Sequence, residues 1–218
     1  MLRRLIAKLR SEAYWRKLRP FRGSEAYWRE RYAHGGNSGV GSYGKFAQFK
    51  AEVLNDFVEE HHVGSVIEFG SGDGNQLTLA RYPEYTGFDV SELTVQICRA
   101  RFPQHRFELM SDYRSEQADL ALSLDVIYHL VEDEAFDHYM RILFGAGRRF
   151  VVIYSSNHEA HGDAAHVRHR KFTDWTEANA AGWALARRIP NRYPFHGDYR
   201  TGSFADFYIF HRIISGSS

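Results

Sequence analysis

From Lys45 to His62 the apolar residues Phe46, Phe49, Val53, Leu54, Phe57 and Val58 recur at helical spacing. That period predicts a helix with one buried side. After Gly64 the pattern changes. Short apolar runs alternate with helical stretches, as in a parallel sheet whose strands are joined by helices. Strands are predicted at 65–69, 85–89, 107–110, 118–123 and 149–154, with intervening helices near 75–81, 91–101 and 132–144. A last helix is expected from Thr173 to Ala181. Strands at 184–189 and 204–213 follow, the second antiparallel to the others because a hairpin leads into it. The fold class is α/β: a Rossmann-like, seven-stranded, mostly parallel sheet with an antiparallel last strand and helices on both faces.

The N-terminal part reads differently. Leu2, Leu5, Ile6 and Leu9 stand at helical spacing among cations, and Pro20 and Gly23 break that helix. The hexapeptide SEAYWR at 11–16 returns at 24–29, too few copies for a solenoid. A second helix starts at Ser24 and carries Tyr27, Trp28, Arg31 and Tyr32. The glycine-rich loop HGGNSGVGSYG follows at 34–44. The chain thus divides into a basic helical arm with a glycine-rich lid, 1–44, and a catalytic-type α/β domain, 45–218.

Composition narrows the function classes. Net charge is +1, which argues against a general nucleic-acid binder. The average conceals an asymmetry: residues 1–22 hold eight basic residues against one acid, a net of +7, and the rest holds 20 against 26, a net of −6. Such an arm suits weak peripheral contact of residues 1–19 with an anionic membrane surface, or docking on another subunit. No apolar run reaches 18 residues and no signal-peptide h-region is present, so the expected location is cytoplasmic. The single cysteine, Cys98, excludes an internal disulfide and a cysteine-rich zinc site. It reads as a small core residue.

The chemistry concentrates in VIEFGSGDGNQL, 66–77. A strand ends in Glu68, and Gly70, Gly72 and Gly74 precede the next helix. Glycines there allow a tight turn and a close approach of backbone to a ligand. Nineteen residues after Gly70 the next strand ends in Asp89, a carboxylate that can accept both hydroxyls of a ribose. A dinucleotide fingerprint needs a glycine where Asn75 stands, and Asp73 would repel a pyrophosphate. An acid-rich loop suits a cofactor with a cationic end.

On these residues the chain resembles the class I S-adenosylmethionine-dependent methyltransferases. The matching segments are EFGSGDG (68–74), GFDV (87–90), MSDY (110–113) and SLDVIYHL (123–130). The resemblance covers about residues 45–214. It implies S-adenosylmethionine as cofactor and S-adenosylhomocysteine as product. It implies that Glu68, Gly70 and Gly72 face the methionine part, and that Asp89 holds the ribose. Asp112 would accept from the adenine amino group, with Val90 or Tyr113 beside the ring, and Asp125 would line the methyl-transfer pocket. Lid segments of relatives suggest Arg31 for the methionine carboxylate, with Asn37, Ser38 or Ser42 beside it.

A hydroxyl acceptor gains from a general base, and His is the usual choice. His129, after the fourth strand, is one candidate. His169 stands for a second source, the loop 155–172 with His158, His161, His166, Arg168, Arg170 and Lys171. Imidazoles and Asp163 there are reasonable metal ligands, but no full metal motif is present and none is expected. The positive charge of the loop suits an anionic small-molecule acceptor such as a sugar or glycan precursor. Three other readings remain open at this stage: an N-methyltransferase, a non-catalytic cofactor-binding or membrane-docking module, and a nicotinamide oxidoreductase. The sequence does not fix the oligomeric state.

Overall fold

The computed structural model describes residues 21–162 and 164–213. The basic arm with its membrane expectation, the first SEAYWR copy and Asp163 lie outside the described residues.

Helix α1 (Ser24–Ala33) and helix α2 (Gly44–Glu60) come first. Then follow β1 (Ser65–Phe69), β2 (Glu84–Asp89), α3 (Glu92–Arg101), β3 (Arg106–Leu109), β4 (Ala118–Leu124), α4 (Asp133–Ala146) and β5 (Gly147–Ser155). A two-stranded hairpin of β6 (Ala160–His161) and β7 (Arg168–His169) precedes α5 (Phe172–Asn179), β8 (Trp183–Ile189) and β9 (Asp206–Arg212). The seven-stranded sheet has the order β3-β2-β1-β4-β5-β9-β8. Strands β1 to β5 pair in parallel, and β9 runs antiparallel between β5 and β8.

Side chains alternate across each strand, so one strand feeds two cores. Val66, Leu120, Leu122, Val152 and Phe207 pack with Phe49, Leu54 and Phe57 of α2 and with Val95 and Cys98 of α3. Ile67, Phe69, Ala121, Val151 and Ile153 pack on the opposite face with Phe136, Met140 and Leu143 of α4. Both faces are covered, which is why these strands read as continuous apolar runs.

The expected helix at 75–81 is reduced to a single 3-10 turn, Gln76–Leu79. Asn55 of α2 explains the stop. Its Nδ2 donates to the Leu79 carbonyl at 2.9 Å and its Oδ1 accepts from Arg81 N at 2.8 Å. A side chain has taken the bonds that a further helical turn would make.

Candidate active site

The order reverses beside β1, where β2 lies to one side and β4 to the other. Ligands of open α/β sheets bind outside the carboxyl ends of the strands at that point. A cavity of about 790 Å³ opens there, roofed by α1 and the segment after it. Glu68, Gly70, Gly72, Asp89, Val90, Asp125 and His129 line it, as does Ser38.

The glycine loop is tight because its neighbours leave no room. Gly70 has φ +84°, and a Cβ there would lie 2.5 Å from Val126 Cγ2. Gly72 has φ +59°, and a Cβ would strike Ser38 Oγ. Asp73 lines the cavity, and its carboxylate is bonded to the N-terminal segment. Its Oδ2 accepts from Ser38 N at 2.9 Å and from Tyr43 Oη at 2.7 Å, and its Oδ1 accepts from Asn75 N at 3.0 Å. Burial works against its ionisation, but these donors outweigh burial and hold the carboxyl below its ordinary value. Ser38 Oγ accepts from Asp73 N at 3.0 Å in return, and Asn75 Nδ2 donates to Ser42 O at 2.7 Å. The N-terminal segment is therefore tied directly to the loop it covers.

Two further carboxylates, at the ends of β1 and β2, line the cavity. Asp89 is buried; its Oδ2 accepts from Gly72 N at 2.9 Å, and its Oδ1 accepts from Ser91 N and Thr94 Oγ1. Burial raises its pKa despite these bonds. Glu68 is buried at the end of β1 and accepts from Tyr85 Oη at 2.6 Å. Burial pushes its carboxyl up to about 7, with the Tyr85 bond and the Lys50 charge opposing. Gln76 also lines the cavity; its Nε2 donates to Ala47 O, and its buried Oε1 has no hydrogen-bond partner. Carboxylates and an unsatisfied carbonyl oxygen favour a ligand with cationic N–H donors over a pyrophosphate. These acceptors and charges fit the ammonium and sulfonium of S-adenosylmethionine.

Asp125 holds φ +61°, an uncommon conformation for a side chain other than glycine. Its Oδ2 accepts from Lys50 Nζ at 2.7 Å and its Oδ1 from Tyr128 Oη at 2.8 Å. Lys50 is 1 % exposed. Asp125 is thus a paired charge in the wall of the cavity, not a free base. Lys50 was missed in the sequence, although a signal existed: it stands four residues from both Phe46 and Leu54, a cation on the apolar stripe of α2.

The His129 ring is enclosed by Trp28 edge-on at 4.9 Å, Tyr128 at 4.5 Å and His166 stacked at 5.4 Å between centroids. Its Nδ1 lies 3.0 Å from the His166 carbonyl oxygen. A carbonyl only accepts, so Nδ1 carries the proton and Nε2 keeps its lone pair. Burial pushes the pKa down to about 4, against the raising effect of the carbonyl bond and Asp125.

Four expected residues are placed elsewhere. Asp112 is exposed and off the cavity lining. Tyr113 turns its ring edge-on to Phe69 and Phe88 in the core, and its Oη donates to Glu116 O. Met110, two to three residues earlier, lines the cavity instead, opposite Val90. Arg31 is spent on its own loop: Nε donates to Asn37 O at 2.6 Å and the guanidinium lies over Trp28. Arg29 reaches the cavity in its place, with Nε donating to Val90 O at 2.9 Å. His169 is buried outside the cavity, its Nδ1 2.7 Å from Ser156 Oγ and its ring stacked on His158. The cations of loop 155–172 are committed as well. Arg168 and Arg170 converge on Asp133, and Lys171 pairs with Asp174. They bring no charge to the cavity.

Cys98 is buried and donates to Gly72 O at 3.4 Å; burial pushes the thiol up to about 12, so it packs under the loop and does not act as a nucleophile. Among the described residues, no group of three or more His, Cys, Asp or Glu side chains is placed to hold a metal ion. No described helix is long and apolar enough to cross a membrane.

Residues 67–151 match the methyltransferase-domain family. No curated protein matches the chain. Among solved structures, magnesium protoporphyrin IX methyltransferase from Synechocystis PCC 6803 with bound S-adenosylmethionine superposes with a TM-score of 0.64 at 15 % identity, covering 89 % of this chain and 99 % of that one. An amino pentose methyltransferase from Micromonospora echinaspora gives 0.59 at 13 % identity, covering 78 % and 93 %. An N-methyltransferase from Bradyrhizobium japonicum WM9 in complex with S-adenosylhomocysteine gives 0.59 at 14 %, covering 77 % and 87 %. At such identities the structures speak for the fold; the sequence family and the acid-lined cavity carry the rest. Residues 67–151 thus match a methyltransferase-domain family, the sheet has the fold of class I methyltransferases, and the acid-lined cavity fits S-adenosylmethionine as the cofactor.

Proposed function

We propose that the enzyme methylates a hydroxyl of a small, uncharged, polar acceptor of the sugar or glycan-precursor type, with His129 Nε2 as the general base. The observation that carries this reading is the His129 tautomer. The His166 carbonyl holds the proton on Nδ1 and leaves a basic lone pair at the wall of the cofactor cavity. S-adenosylmethionine supplies a methyl carbon activated by the sulfonium: the acceptor oxygen bonds to it as the carbon–sulfur bond breaks, with the electron pair staying on sulfur. Nε2 receives the hydroxyl proton. A pKa near 4 keeps His129 neutral at pH 7, so Nε2 is free to accept a proton, at the cost of a lower basicity than an ordinary imidazole has.

Other residues bind and exclude water. Asp89 serves the ribose hydroxyls, and Val90 and Met110 give apolar walls for the adenine. Glu68 and Gln76 Oε1 serve the ammonium. Helix α1 and residues 34–44 form a lid, pinned by Asp73 at one end and by Ser24 to Glu132 at the other, where Ser24 Oγ donates at 2.6 Å. Enclosure of this kind aligns the reactants and shields them from solvent. The acceptor charge is revised from the sequence expectation because the cations of loop 155–172 are paired. The flat Trp28 ring beside His129 suits the C–H face of a sugar, and the amino pentose methyltransferase among the structural relatives supports that class.

The test is turnover of methyl-labelled cofactor with a panel of nucleotide sugars and glycans, with and without His129→Ala. The expected result is an O-methyl product and a loss of about 10²–10⁴-fold in kcat for the variant. An N-methyl product, formed as fast by His129→Ala, would replace this reading with that of an N-methyltransferase.

A further inference from the structure

Tyr27 of the lid does not line the cavity, yet it is joined to the residue that sets the His129 tautomer. Its ring stacks on His166 at 4.1 Å and 12°, and its Oη lies 3.2 Å from His166 Nε2. Arg31 Nη1 donates to the same Oη at 3.4 Å. Tyr27 Oη accepts from Arg31 and keeps its own proton and a second lone pair, so it pairs with His166 Nε2 in either tautomer of that ring. The backbone carbonyl of His166 then accepts from His129 Nδ1. Tyr27, His166 and His129 form one column of nearly parallel rings, for His166 and His129 are also stacked, at 14°. The hairpin that carries His166 is anchored from below. Arg170, 9 % exposed, donates to the carbonyls of Leu130 and Val131, immediately after His129.

We propose that Tyr27 is a positioning residue that couples lid docking to the competence of the base: with α1 seated, the Tyr27–His166 pair holds the carbonyl over His129 Nδ1 and keeps Nε2 free to take a proton. The inference rests on the reading of His129 as base. With the lid away, His129 loses both the ring column and the Trp28 edge, and solvent reaches it. The groups facing His129 are Trp28 and Arg31 from α1, Asp125 and Tyr128 from its own loop and His166 from the hairpin. Removal of Tyr27 changes the His166 and α1 contributions and leaves Asp125 and Tyr128 in place. His129 is therefore set in its neutral Nδ1–H form only in the state that also covers the cofactor.

The experiment needs no acceptor. Histidine ring nitrogens are labelled with ¹⁵N in the full chain with S-adenosylhomocysteine bound, and His129 is assigned by its absence in His129→Gln. Tautomer and titration are read by NMR in wild type, Tyr27→Phe, Tyr27→Ala and His166→Ala, and affinity for S-adenosylhomocysteine by calorimetry. Expected are a pure Nδ1–H tautomer in wild type and a mixture of tautomers in Tyr27→Ala and His166→Ala. The His129 titration should rise by at least one pH unit in these two, with a smaller rise in Tyr27→Phe, which keeps the stack. Affinity for S-adenosylhomocysteine should stay within about threefold, since Tyr27 does not line the cavity. An unchanged His129 spectrum in Tyr27→Ala would overturn the coupling. A parallel collapse of ligand binding would overturn it too, by showing that the lid as a whole has come away. Should Tyr27→Ala fail to fold, unchanged His129 signals in both His166→Ala and Tyr27→Phe decide against it. Failure of the base reading shows separately, as undiminished turnover in His129→Ala.

Discussion

Glu68 and His129 should impose opposite pH dependences on the stability of the ligand-free protein, and a pair of variants separates them. The Glu68 carboxyl is raised by burial from 4.5 to about 7. Between those values the folded state holds a proton that the unfolded chain has released. Its contribution is complete below pH 4.5 and is lost as pH rises through about 7. His129 is lowered by burial from 6.5 to about 4. There the unfolded chain binds the extra proton, so its contribution is complete above pH 6.5 and is lost as pH falls toward 4. Each group acts at about 1.4 kcal/mol per pH unit while the two states differ by one proton. From pH 4.5 to 6.5 each moves stability by about 2–3 kcal/mol, in opposite directions, so the two largely cancel in wild type. Glu68→Gln should uncover a stability that rises with pH relative to wild type, and His129→Gln one that falls. The assay is equilibrium urea unfolding of the three proteins in half-unit steps from pH 4.5 to 7. Curves for both variants that run parallel to wild type would refute the reasoning. Above pH 6.5 only the Glu68 slope remains, so wild type itself should lose stability toward pH 7.

Two further outcomes test the cavity wall. Lys50→Met leaves Asp125, only 12 % exposed, without its cation and should cost about 3–5 kcal/mol by urea unfolding; Asp125→Asn on that background should cost less than on wild type, and additive costs in the double-mutant cycle would show that the pair is not coupled. Asp89→Asn should keep the fold and weaken S-adenosylhomocysteine binding about 10–100-fold by calorimetry, the worth of one or two hydrogen bonds to a charged acceptor; an unchanged affinity would remove Asp89 from the cofactor site.

The sheet was legible because its strands are buried on both faces and the joining helices each carry one apolar stripe. The five parallel strands fall within a residue or two of their expected bounds, and the antiparallel strand after the long connection lies where the hairpin argument puts it. Legibility failed where a distant side chain decides. The turn at 76–79 stops because Asn55, 24 residues before Leu79, takes its hydrogen bonds. Arg31 and Arg29 differ by two positions, which on a helix is roughly 200° of rotation; the resemblance points to Arg31, and nothing in the local pattern says which side meets the sheet. Tyr113 and His169 stand in segments that do border the site, but Phe69 with Phe88 claims one and Ser156 the other.

The acids of the motif show how a correct reading of composition can still merge separate jobs. In sequence, Glu68, Asp73 and Asp89 all belong to one acid-rich crevice suited to a cation. In space all three line the cavity, but their bonds divide them. Glu68 and Asp89 face the cavity, each raised by burial, so a cationic ligand relieves a cost the protein already bears. Asp73 is lowered by its donors and spends its charge on Ser38 N and Tyr43 Oη. The residue that made a pyrophosphate implausible is thus the one that fastens the cover. Because Asp73 sits between Gly72 and Gly74, any shift of the glycine loop on cofactor binding must pull on the segment at 38–43, and that segment continues into the helix that holds Trp28 and Tyr27. The glycine loop, its cover and the Trp28 ring beside His129 are connected through short stretches of backbone, which is the physical ground for expecting them to respond together.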